Sequence, residues 1–159
     1  MSKKSKIDPW LYCNPEYENA FSMVTADLLE SPKYKSLSHA AQAFYIVLAT
    51  HKKTYIQRTA LYKTLKDYHN LTGQPIEDFD ISVKSGSYQK LKKDSPYFVI
   101  PEKQLKAYGY SSQYASKLKK ELIEKGFIKV FAFDKGTGGY CHAFSKKPTI
   151  YKFVNDWKK

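Results

Sequence analysis

Cysteine is scarce in this chain: Cys13 and Cys141 are the only two. Two thiols supply no disulfide framework and suit a reducing cytoplasm, where we expect the chain to act with both thiols free. Arginine is scarcer still. Arg58 stands alone, so the Arg/His set of a tyrosine recombinase is missing. No run approaches the roughly 20 apolar residues of a membrane span. The opening MSKKSKIDPW lacks the apolar segment of a signal peptide. None of the histidines, His39, His51, His69 and His142, stands at metal-binding spacing from another His, Cys or acid. Cys141 and His142 adjoin, but a zinc site takes about four ligands and only the distant Cys13 remains to add. DKGTGG lacks the Gly-Lys-Ser/Thr ending and the following helix of a phosphate-binding loop. Glu77, Asp78 and Asp80 cluster without a basic or histidine partner, so a solvated loop is the better reading than a metal-dependent nuclease centre. From these absences we expect no enzyme, no metal, no cofactor and no membrane.

What is present begins with apolar residues at 42% of 159, enough for one packed domain. There are also 14 tyrosines, a residue that sits half-buried with its hydroxyl wet. The formal charge is +12, unevenly spread. Residues 1–80 hold 10 basic and 9 acidic side chains, whereas residues 81–159 hold 17 and 6. A neutral half joined to a basic half predicts an anionic partner for the second.

Residues 1–20 read as an N-terminal arm, with a lysine-rich start, Pro9 and Pro15. Residues 21–96 read as a helical part with an insertion. TADLLE suits a helical turn capped by Thr25 and stopped before Pro32. LSHAAQAFYIVLATHKK predicts a helix capped by Ser38, with Leu37, Ala41, Phe44 and Leu48 as its apolar stripe. QRTALYKTLKDYHNLTG predicts a second helix, with Leu61, Leu65 and Tyr68 on one face and Gly73 as the stop. YQKLKKDS reads as a short helix or an extended piece.

Residues 97–157 carry the functional pattern, in one compact domain with 21–96. YFVI predicts a strand. PEKQLKAYG predicts a short helix, with Pro101 at its first position and Gly109 at its C-terminal cap. Ser111 or Ser112 caps the next helix, which ends at Gly126. FIKVFAF and TIYKFV predict a strand pair closed by the glycine-rich tip DKGTGG. On the long helix Ala115, Leu118 and Leu122 gather on one side, while Gln113, Ser116, Lys117 and Lys120 point to the other. Amide, hydroxyl and ammonium groups of this kind bind base edges and phosphates. A short helix, a glycine-bearing turn and a second helix make a helix-turn-helix, and the flanking strands make it winged. The expected fold is therefore α+β, a winged helix-turn-helix with extra N-terminal helices. Ser112, Gln113, Ser116, Lys117 and Lys120 are the candidate DNA contacts of the helix, and Lys135, Lys146 and Lys147 those of the wing.

YFVIPEKQLKAYGYSSQYASKLKKELIEKGFIKV, with TIYKFV and the closing DWKK, resembles the winged-helix domains of replication initiators and replisome organisers. That family occurs in plasmids, phages and integrative elements of Gram-positive bacteria. Tyr34, Leu37, Ser38 and Ala41 are similar to the phrase that opens the family's first long helix. The likeness covers roughly residues 21–50 and 97–157. It implies sequence-selective contact with double-stranded DNA, in replication, transfer or their regulation. Replication or conjugation proteins would be further partners, and a homodimer is left open. Residues 51–96 depart from the family as a long insertion, and the chain ends after the wing, so initiation itself is not implied. The competing class is a winged-helix module whose basic face meets an acidic protein, and a third is a binder of single-stranded DNA.

Overall fold

The computed structural model describes residues 24–52, 54–76, 96–132 and 148–159. The arm at 1–20, the acidic loop with Glu77, Asp78 and Asp80, the YQKLKKDS segment and the DKGTGG tip lie outside them, as do Cys13, Cys141 and His142.

Two short helices open the described chain, α1 (Ala26–Glu30) and α2 (Pro32–Lys35). Thr25 caps the first, its hydroxyl accepting from the Leu28 N–H at 3.3 Å. Pro32 was expected only to stop α1, yet it also starts α2. Ser31 ends one helix and caps the next, and a proline in the first turn forfeits no helical hydrogen bond. Ser38 then caps α3 (His39–His51), accepting from the Ala41 N–H at 3.2 Å. Leu37 falls just before the cap instead of within the helix, but it is buried with Ala41, Phe44 and Leu48.

Helix α4 (Tyr55–Thr72) ends at Gly73, whose φ of 68° is the left-handed conformation a glycine adopts without penalty. The expected strand at 97–100 shortens to β1 (Tyr97–Phe98). The reason is a side chain: the buried Gln57 of α4 accepts the Val99 N–H at 3.0 Å and donates to the Lys52 carbonyl at 2.8 Å. Pro101 proves to be the N-cap of α5 (Glu102–Ala107), not its first residue. Helix α6 (Ser112–Glu124), β2 (Ile128–Ala132) and β3 (Ile150–Phe153) complete the chain before a closing 3₁₀ turn at Asp156–Lys158.

The fold is mixed α+β, with a three-stranded antiparallel sheet in the order β1-β3-β2. Alternation along each strand divides the side chains between two faces. Phe98, Ile100, Ile128 and Tyr151 join the core built with α3, α5 and α6. Tyr97, Val99 and Ile150 join Leu61, Leu65 and Ile76 on the other face. An irregularity between Val130 and Ala132 sets both Phe131 and Ala132 against this second cluster. Helix α4 therefore covers the face of the sheet opposite α6.

Candidate nucleic-acid interface

Helices α5 and α6 are joined by a turn over residues 108–111. Its geometry follows from Gly109 at φ 90°. The Gly109 N–H reaches the Lys106 carbonyl at 3.0 Å, and the Tyr110 N–H reaches the Leu105 carbonyl at 2.9 Å. This paired closure satisfies the last carbonyls of α5 and reverses the chain. Ser111 then accepts the Tyr114 N–H at 3.2 Å and starts α6. Of the two candidate caps, Ser111 holds the position.

At about 100° per residue, Ala115, Leu118 and Leu122 define the inward side of α6. All three are buried in the main core. The Gly126 and Phe127 N–H groups close the far end on the Ile123 and Leu122 carbonyls, at 3.2 and 3.0 Å. Gly126 is confined as well as left-handed. A Cβ there would lie 2.9 Å from the Asp156 Cβ.

The outward side carries four of the five contacts expected of this helix. Gln113, Ser116, Lys117 and Lys120 are all exposed and share one face. Ser112 is half-buried on the flank toward α5, where its hydroxyl donates to the Glu102 carboxylate. That bond, with Lys106 at 3.5 Å, holds the Glu102 carboxyl below its usual range. Ser112 thus ties α5 to α6 and stands apart from the exposed group. Lys135, Lys146 and Lys147 lie outside the described residues.

Several residues acquire roles that spacing along the chain does not reveal. The Glu121 carboxylate accepts the Ser38 N–H at 2.7 Å and the Ser38 hydroxyl at 2.8 Å, bracing the start of α3. The partners are 83 residues apart. Lys119 points aside: its ammonium sits 5.0 Å from the Tyr151 ring centroid. Burial lowers the pKa of Lys119, and the Glu102 charge partly opposes that shift. Lys103 and Lys106 of α5 are exposed and add positive charge beside the start of α6. Their signal was present in the sequence, as two lysines one turn apart on the helix before the turn.

The turn is anchored from below. The Tyr108 hydroxyl lies 2.8 Å from Nδ1 of the buried His51, at the end of α3. Burial pushes the His51 pKa down to about 4, and the Val99 backbone, as an acceptor toward the ring, partly opposes that shift. No group of three or more His, Cys, Asp or Glu side chains that would hold a metal occurs among the described residues. No helix among them is long and apolar enough to cross a membrane. No protein-family model, curated protein or solved structure matches the chain.

Proposed function

We propose that this chain is a winged-helix protein and that α6 enters the major groove of double-stranded DNA. The class is supported by the order helix, strand, helix, turn, helix, strand, strand, with β3 central in the sheet. It is supported also by the short glycine turn between α5 and α6. The particular role follows from the resemblance of residues 21–50 and 97–157 to replication initiators and replisome organisers. It is sequence-selective DNA binding for a bacterial mobile element, in replication, transfer or their control.

One observation carries the reading: the exposed side of α6 groups an amide, a hydroxyl and two ammonium groups over an apolar underside. Lys117 and Lys120 neutralise phosphates, while Gln113, in the first turn, reads a base edge. Lys103 and Lys106 lie on the helix that crosses the backbone in such motifs.

The test is the salt dependence of duplex binding by the whole chain. Four lysine contacts predict a slope of log affinity against log salt of about −3 to −4. Replacing Gln113 by Ala shifts preference among sequences while leaving that slope in place. A flat salt response, or tighter binding to an acidic protein than to any duplex, overturns the reading. Stronger binding to single strands than to the matching duplex favours the third class instead.

A further inference from the structure

We infer that Tyr114 is a specificity-determining residue of the interface proposed above, selecting thymine by covering its 5-methyl group. The inference rests on that reading of α6. The structural observation is a run of three rings from the core to the surface. Phe44 is fully buried in α3. Tyr110, in the turn, meets it edge-on with centroids 4.9 Å apart. Tyr114, in the first turn of α6, stacks on Tyr110 at 6.1 Å with only 16° between the planes. Tyr114 itself is 43% exposed.

An exposed tyrosine is ordinarily mobile at its surface end. Here the ring lies nearly parallel beside Tyr110 in an offset stack, and Tyr110 is held by a core phenylalanine. Ordering Tyr114 at an interface therefore costs little further side-chain entropy, as for the rigid aromatic anchors of other binding surfaces. On the helical wheel Tyr114 flanks the exposed face, beside Lys117 and one residue after Gln113. It belongs to the first turn, the part of a recognition helix that reaches bases.

The chemistry of the groove selects the partner. Base edges in the major groove are hydrogen-bond donors and acceptors, with one apolar group among them, the methyl of thymine. An aromatic ring brought into that groove gains most by covering this methyl. Gln113 beside it matches the donor and acceptor of adenine. The two residues together favour a site containing A·T pairs, with Tyr114 supplying the discrimination between thymine and the other bases.

The experiment uses the full chain and two duplexes of about 20 base pairs, two helical turns, of alternating adenine and thymine. The second carries uracil in place of every thymine, so that hydrogen-bond edges are kept and only methyl groups are lost. Fluorescence anisotropy reads both affinities. Covering one methyl predicts about fourfold tighter binding to the thymine duplex. Tyr114→Phe keeps that ratio, because the ring makes the contact. Tyr114→Gln brings it to about one while lysine-driven binding to both duplexes persists. A wild-type ratio of one overturns the inference without any variant, as does a ratio that survives in Tyr114→Gln. Binding to neither duplex removes the DNA reading itself, and this inference with it.

Discussion

Helices α3 and α6 have the same length, 13 residues, and each is capped by a serine hydroxyl. They pack against each other in one core. Their other surfaces differ entirely. Helix α3 contains no lysine, buries Ala41, Phe44, Leu48 and His51, and leaves only His39 and Ala43 exposed. Helix α6 buries three residues and exposes seven, among them Lys117 and Lys120. Equal length and equal capping thus yield a pillar in one case and a presented edge in the other. What separates them is how much of the circumference is apolar. A helix covered on most sides serves the fold, and one covered on a single side has a surface free for a partner.

The sharpest way to break the pillar is Phe44→Ala. It removes a fully buried ring that also supports Tyr110, and we expect about 3–5 kcal/mol lost in urea unfolding. Acid is the next probe. His51 stays neutral in the fold, while the unfolded chain takes up its proton from about pH 6.5 downward. The unfolded state therefore binds more protons between about pH 6.5 and pH 4, and stability falls as pH drops through that window. The loss is on the order of 2 kcal/mol by pH 4, and His51→Asn flattens that part of the profile. Gly126→Ala comes next, at about 2 kcal/mol, because it adds a clash with Asp156 to a left-handed φ of 81°. Gly109→Ala, with nothing within 4 Å, has only the backbone term and loses about 1 kcal/mol by the same denaturation. Glu121→Ala uncouples the two helices by removing both bonds to Ser38, with about 1 kcal/mol lost in thermal unfolding.

Local signals in the sequence were enough for the pillar, the presented edge and the paired strands. Ser38, Gly73, Gly109 and Gly126 mark helix ends through rules that span only a few residues. The inward and outward sides of α6 follow from its periodicity alone. What could not be read depends on contacts between distant residues. Nothing near Glu121 indicates that it braces Ser38. Nothing near Gln57 indicates that its amide takes the Val99 N–H and cuts the first strand short. The role of α4 as a cover for the second face of the sheet is of the same kind. Its apolar residues were evident, but their partners Tyr97, Val99 and Ile150 are supplied only by folding. The link from Ser112 to Glu102 depends on how α5 and α6 meet across the turn, which no short window encodes.

The smallest expected change in stability accompanies the central test. Lys117→Ala with Lys120→Ala touches two exposed side chains and should alter unfolding by less than about 0.5 kcal/mol. The same double variant should reduce the salt slope of duplex binding by about 2, since two phosphate contacts are gone. Measuring that slope for the wild type and the double variant under identical conditions addresses the claim that α6 presents its charge to DNA. A slope reduced by about 2 with the fold intact is the predicted result. An unchanged slope in a folded double variant would contradict it.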